Sequence, residues 1–171
     1  MKYSYYDRYI DKETKDRYDV TPIFKHPQAF SNLVKDLIKP FRKTRIDRII
    51  SLDALGFILG GAISNELNVG FVPVRKGGKL PGRNVIRMPF VDYTKKKKTF
   101  ELNKGAIGRG DRVLIVDEWI ETGAQINAAI KLIEKCGGKI IGIATLHVDK
   151  NPRTDALCEK YNCKALNRTN R

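Results

Sequence analysis

Cysteine is scarce: 171 residues contain only Cys136, Cys158 and Cys163, an odd number with no CxxC pair. Neither a disulfide framework nor a zinc cluster is suggested, and a reducing compartment fits best. Also missing is any run of about 18 apolar residues, the length that crosses a bilayer. The nearest approach, Ile49 to Ile63, is broken by Asp53 and rich in glycine, so no membrane span is expected. Met1 to Asp19 is polar, aromatic and charged, without the apolar stretch of a secretory signal. A cytoplasmic protein is expected. Histidine occurs only as His26 and His147, and with neither in a recognisable motif both read as structural.

Negative charge is in deficit. Lys and Arg number 33 against 19 Asp and Glu, a net charge of +14, and such a field draws polyanions. Apart from Lys95 to Lys98 the excess is dispersed, and no helix-turn-helix or other nucleic-acid-reading motif is visible. A phosphate-rich small molecule or simple solubility accounts for the charge as economically as nucleic acid does.

The rest of the composition is that of a folding chain, with 42% hydrophobic and 30% charged residues. The length suits a single domain over 1–171. Residues 1–25 have no clear period, but Tyr3, Tyr5, Tyr6, Tyr9 and Tyr18 among the charges suggest an ordered cap. Phe30, Leu33, Val34, Leu37, Ile38 and Phe41 then form one apolar stripe, predicting a helix entered at Pro27 and ended near Pro40.

Beyond it, strand and helix patterns alternate as in a parallel sheet with crossover helices. Strands are expected at Arg48 to Leu52, Phe71 to Arg75, Arg112 to Val116 and Ile140 to His147, with helices at Phe57 to Leu67 and Ile126 to Cys136. Cys136 falls on an apolar helix face and reads as a small buried hydrophobe. Residues 84–107 are polar, with hairpin-like alternation in Thr99 to Leu102, and read as a mobile excursion over the sheet edge. Asn151 to Arg171 reads as a short basic closing segment.

Chemistry concentrates in Val113-Leu-Ile-Val-Asp-Glu-Trp-Ile-Glu-Thr-Gly-Ala-Gln125. Four apolar residues deliver Asp117 and Glu118 to the carboxyl end of a strand, where open α/β sheets bind ligands. Thr122, Gly123, Ala124 and Gln125 then open a helix whose free amides and positive dipole end suit one phosphate. Carboxylates that accept from two sugar hydroxyls, followed by a phosphate seat, describe a ribose 5-phosphate site. The plainer alternative is a strand end with solvated acids and a helix cap.

Asp117 to Gln125 resembles the ribose-phosphate motif of type I phosphoribosyltransferases. Ile46 to Gly82, with Asp53-Ala-Leu-Gly-Phe57 and Val74-Arg-Lys-Gly-Gly-Lys-Leu-Pro-Gly82, resembles the adenine phosphoribosyltransferases, as does Asp19-Val-Thr-Pro-Ile23. The likeness spans roughly residues 19–150. It implies the type I fold, α/β with a central mostly parallel sheet and helices on both faces. An N-terminal hood over 1–25 and a flexible lid hairpin over 84–107 would complete it.

The implied reaction moves a 5-phosphoribosyl group from phosphoribosyl pyrophosphate to a purine base, with Mg²⁺ carried on substrate oxygens rather than in a protein cage. Its oxocarbenium-like intermediate needs shielding from water, hence a lid. The implied partners are these substrates and a second copy of the chain in a homodimer. Carried over by position, Asp117 and Glu118 hold the ribose, residues 122–125 the phosphate, Lys76 the pyrophosphate with Asp53 and Ala54 beside it, and Tyr93 belongs to the lid. Tyr18 stands where the hood meets the base, and packing or a dimer contact is an equal reading for it.

Four positions depart from the family pattern: Leu55 and Gly77 stand where arginine is usual, Gln125 replaces a threonine, and Glu121 adds a charge at the phosphate seat. In hypoxanthine-guanine relatives an acid at the Glu121 position exchanges a proton with the base, and an apolar wall such as Trp119 would raise a carboxyl toward that role. The other reading of Glu121 is a solvated carboxylate that repels phosphate. A non-enzymatic alternative for the whole chain is a phosphoribosyl pyrophosphate or nucleotide sensor that binds nucleic acid through its basic surface.

Overall fold

The computed structural model describes residues 1–14, 18–91 and 96–170. The helix predicted between the two prolines is α3, Pro27–Ile38, after α1 (Tyr3–Asp7) and α2 (Thr21–Lys25). Its stripe buries Leu33, Val34, Leu37 and Ile38, and Phe41 continues it in a 3-10 turn over Lys39–Phe41. The N-terminal segment is tied to α3 at one acid: Asp36 receives the Tyr6 hydroxyl at 2.6 Å and the amino group of Met1. Tyr6 itself is fully buried, and a bridge from Asp11 to Asp19 closes the segment on itself.

The sheet has seven strands. β1 (Arg48–Leu52), β2 (Gly70–Lys76), β5 (Arg112–Ile120), β6 (Lys139–Asp149) and β7 (Cys163–Thr169) run parallel in the order β2-β1-β5-β6-β7. The apolar runs of β1, β5 and β6 suit strands covered on both faces. Val113, Leu114, Ile115 and Val116 have no exposed surface. The crossovers are α4 (Gly56–Leu67), α5 (Ala124–Lys135) and α6 (Pro152–Lys160). One core lies between the sheet and α5 with α6, and the other between the sheet and α3, α4 and the N-terminal segment.

α4 comes unusually close to the sheet because Gly56 and Gly60 share one helix face. A Cβ at Gly60 would overlap the Ser51 side chain and come 2.8 Å from the Phe71 ring. Cys136, at the end of α5, packs against the core as expected, and burial raises its thiol pKa.

Three stretches differ from the sequence expectation. The hairpin expected within 84–107 is present as β3 (Val85–Val91) and β4 (Lys97–Asn103), but this antiparallel pair extends the sheet instead of lying over its edge, joined to β2 through Arg75–Glu101 and Lys76–Phe100. Phe100 and Leu102 are buried there. The tip, 92–95, with the expected lid residue Tyr93, lies outside the described residues. Secondly, β5 continues four residues past Val116, so both acids lie within the strand.

Finally, the closing segment supplies α6 and the edge strand β7. Asn151 caps α6 by accepting from the amides of Arg153 and Thr154, both at 3.1 Å, while Thr154 Oγ1 accepts from the Asn151 amide at 3.0 Å. With Pro152 in the first turn, this is a reciprocal capping box at a favourable proline position.

Candidate active site

The carboxyl ends of β1, β2 and β5 and the starts of α4 and α5 meet at a cavity of about 340 Å³. β5 contributes Asp117, Glu118 and Trp119; β1 and the turn after it contribute Asp53, Ala54 and Leu55; and β2 contributes Lys76. Tyr18 and Asp19 enter from the N-terminal segment, Phe90 and Lys98 from the β3–β4 hairpin, and Gln125 from the first turn of α5. A ligand crevice beyond strand ends is the position the α/β architecture offers.

Asp117 and Glu118 are 7% and 6% exposed. The Glu118 amide donates to Asp117 Oδ1 at 3.1 Å, and the same oxygen lies over Gly56, where a Cβ would stand only 2.7 Å away. Glycine at the head of α4 therefore makes the space this carboxylate occupies. Asp53 is also buried, with Oδ2 3.4 Å from the Lys76 amide and 3.7 Å from Arg75 Nε, and the Asp53–Ala54 peptide is cis.

At the start of α5, Gly123 holds φ +73°, a left-handed conformation that glycine adopts without penalty. The Ala124 amide donates to Thr122 Oγ1 at 3.3 Å, and Asn127 Nδ2 donates to the Gly123 carbonyl at 3.0 Å. The loop is braced from α6. Asn151 Nδ2 donates to the Glu121 carbonyl at 2.8 Å, and Leu157 and Thr154 pack beside Gly123. Thr122, Gly123, Ala124 and Gln125 line a smaller hollow that also includes Asp117, Trp119 and Glu121. Glu121 therefore lies on this smaller hollow, which adjoins the main cavity through Asp117, Trp119 and Gln125.

Trp119 stands at the end of an aromatic pile. The Tyr18 ring meets it edge-on at 5.8 Å, and the His147 ring stacks against it at 3.9 Å and 19°. Asp149 Oδ1 accepts from Trp119 Nε1 at 3.0 Å and lies 3.1 Å from His147 Nε2. A proton on Nε2 leaves His147 Nδ1 to accept from Asn167 Nδ2 at 3.2 Å. His147 is structural as expected, but its structural task is to back a cavity wall. Tyr3 sits beyond it, and burial pushes its hydroxyl up to about 12.

The loop after β2 depends on Glu101, a buried acid the sequence reading passed over. Its carboxylate gathers the amides of Gly78 and of Leu80, the latter at 3.3 Å, and receives Arg87 Nε at 2.8 Å. The Gly78 amide first, and the Arg87 bond with it, hold Glu101 below the ordinary glutamate value. Gly77 is fastened to β4 as well, its amide donating to the Thr99 carbonyl at 2.8 Å.

Of the residues singled out from sequence, Asp53, Ala54, Lys76, Asp117, Glu118, Gln125 and Tyr18 come together on one cavity. Thr122, Gly123, Ala124 and Glu121 lie on its smaller neighbour. Lys98 belongs to the lysine run that sequence reads either as a solvated loop tip or as a gatherer of pyrophosphate charge, whereas Phe90, Glu101, His147 and Asp149 were not anticipated at the site. The Asn-Pro pair at 151–152, a helix-start signal, was the one clue to the brace behind the loop.

Comparison with known proteins agrees with this geometry. The family model described as "Phosphoribosyl transferase domain" matches residues 20–169. The adenine phosphoribosyltransferase of Dinoroseobacter shibae is 44% identical over 128 residues, 75% of this chain and 70% of that protein. Among solved structures, the adenine phosphoribosyltransferase of Thermoanaerobacter pseudethanolicus has a TM-score of 0.87 at 30% identity, covering 98% of this chain and 99% of that one. The Giardia lamblia enzyme complexed with 9-deazaadenine has a TM-score of 0.88 at 29% identity, covering 100% and 99%.

Proposed function

The chain belongs to the phosphoribosyl transferase domain family and is a purine phosphoribosyltransferase, and we propose that its base is adenine. In the reaction a purine ring nitrogen bonds to C1 of the ribose as the bond from C1 to the diphosphate oxygen breaks. The diphosphate leaves with the electron pair, and the base gives up its ring proton. The products are a nucleoside monophosphate and pyrophosphate.

The observation that carries the site reading is the pair of buried carboxylates, Asp117 and Glu118, set just before the left-handed turn that opens α5. In this reading the two acids accept from the ribose hydroxyls, and the amides of 122–125 with the Thr122 hydroxyl hold the 5-phosphate. Binding both ends of the sugar orients C1 toward the base, and such positioning lowers the barrier by removing motional freedom beforehand. Trp119 offers the base an aromatic wall with Tyr18 beside it, and Glu121 exchanges the proton. Lys76 takes the diphosphate, while Asp53 and Ala54 shape the turn beside it.

Mg²⁺ suits the donors present. Mg²⁺ binds through one or two carboxylates plus substrate phosphates. Asp117, Glu118 and Asp53 line the cavity where a chelated diphosphate would lie. When bound there the ion would neutralise charge developing on the leaving group. Tyr93 is proposed for the lid because the strands leading to it bring Phe90 and Lys98 to the cavity. We also propose a homodimer, to be tested by sedimentation.

The test is conversion of radiolabelled adenine, hypoxanthine, guanine, xanthine and orotate with phosphoribosyl pyrophosphate and Mg²⁺. Adenine should give product fastest. Faster turnover of another purine would reassign the base, and no product from any of them would overturn the enzymatic reading.

A further inference from the structure

A diphosphate brings several negative charges, yet the main cavity is lined by four carboxylates, Asp19, Asp53, Asp117 and Glu118. Against them stand two cations among the described residues, Lys76 and Lys98. Leu55, at the head of α4, brings an apolar side chain to the same wall. At Gly77 an added Cβ would come 3.3 Å from Thr99 Cβ, so β4 crowds any side chain there.

The strand register places Lys98 beside Lys76. Lys76 pairs with Phe100 across β2 and β4, and directly paired residues point to the same face of a sheet. Side chains repeat every second residue, so Lys98 shares that face. Diagonal neighbours of this kind lie about 7–8 Å apart, within mutual reach of long side chains. Lys98 is half-buried, and Phe90, its partner on β3, lines the cavity too.

A second hollow, of about 490 Å³, adjoins the first, and Lys76 and Lys98 line both. It also presents Gly77, Gly78, Arg87 and Lys97. Its one acid, Glu101, is bonded to Arg87 and to loop amides. Lys76 and Lys98 are thus the two cations common to both hollows.

Resting on the enzymatic reading above, we infer that Lys98 is the second cation of the diphosphate site, gripping the leaving group together with Lys76 across the β2–β4 pair. The positive charge comes from the hairpin strand rather than from the turn before α4 or the loop after β2. Leu55 and Gly77, the two departures from arginine, thereby become tolerable.

The experiment measures Mg²⁺-diphosphate binding calorimetrically and, separately, steady-state kinetics, for the wild-type chain, Lys98→Ala, Leu55→Arg and the double variant. Charge-assisted hydrogen bonds are worth enough that Lys98→Ala should weaken diphosphate binding and raise KM for phosphoribosyl pyrophosphate by roughly tenfold or more. KM for the base and the melting temperature should hold. Leu55→Arg placed on Lys98→Ala should recover most of the loss, which a merely structural lysine would not permit. Diphosphate affinity within twofold of wild type in Lys98→Ala, equal loss of base and diphosphate binding, or no diphosphate binding by the wild type would each overturn the inference. Lys98-dependent binding without turnover of any base would leave it standing while the enzymatic reading fell.

Discussion

Trp119 and His147 lie ring on ring at 3.9 Å, with one oxygen of Asp149 within bonding distance of a nitrogen on each. The indole can neither tilt nor slide without losing a bond or a stacked face. Trp119 is the sole tryptophan, so its emission reports on one place. Base binding should quench or shift that emission. His147→Ala should remove a stack and unbalance Asp149, costing about 1–3 kcal/mol, and should raise KM for the base more than it lowers kcat. Thermal unfolding and steady-state kinetics check both; emission indifferent to base would remove Trp119 from the base pocket.

Gly56 and Gly60 should separate function from stability. A methyl at Gly56 presses on Asp117 Oδ1, a movable atom, whereas one at Gly60 presses on Ser51 and the Phe71 ring. Gly56→Ala should therefore raise KM for phosphoribosyl pyrophosphate with little change in melting temperature. Gly60→Ala should instead lose about 1–3 kcal/mol by overpacking. Comparable melting temperatures for the two would contradict this division.

Asn151 joins two structures that are far apart in sequence, capping α6 and bonding the Glu121 carbonyl. Asn151→Ala should cost about 1–2 kcal/mol as a lost cap and also weaken ribose 5-phosphate binding. Asn151→Asp retains the cap acceptor but not the amide donor. It should keep most of the stability and still bind the phosphate poorly, a split readable by calorimetry.

Glu101 gives the hairpin an acid sensitivity. Its value lies below the ordinary 4.5, first through the Gly78 amide and then through Arg87. A carboxylate with a depressed folded value stabilises fully above the unfolded value and loses that contribution as pH falls through the folded one. Protection of the amides of residues 76–82, measured relative to the intrinsic exchange rate at each pH, should be high at neutral pH and fall below the ordinary glutamate range. In Glu101→Gln the protection should be low throughout; an unchanged pH profile would show that the carboxylate charge is not what orders the loop.

Glu121→Ala distinguishes the two roles of this acid. As a proton carrier it should lower kcat well beyond any change in substrate binding. Tighter 5-phosphate binding with unchanged kcat would instead mark it as a repulsive charge at the seat.

The parallel sheet was legible because β1, β2, β5 and β6 and the helices α4 and α5 announce their periods, and Asp117, Glu118 and the turn at Gly123 lie within one short stretch. What escaped was assembled across long separations. The alternation in Thr99 to Leu102 signals a hairpin, but nothing local says that this hairpin joins the sheet through Arg75 and Lys76. Glu101 reads as one more surface acid until Gly78, Leu80 and Arg87 converge on it. His147 and Asp149 lie on a strand beside Trp119, and only the register brings imidazole, carboxylate and indole together. Glu121 shares its small hollow with both Trp119 and the turn at Gly123, so neither of its two sequence readings is separated from the other by position, and Asn151, which bonds its carbonyl, lies thirty residues away.

Only β1 separates β2 from β5, so the loops that follow those two strands are anchored about two strand spacings apart, close to 10 Å. Hydrogen-bonded sheet stretches far less readily than side chains bend. The architecture works as a calliper whose opening is fixed before any ligand arrives. A sugar charged at both ends can touch both jaws at once, whereas a sugar charged at one end can occupy only half of it.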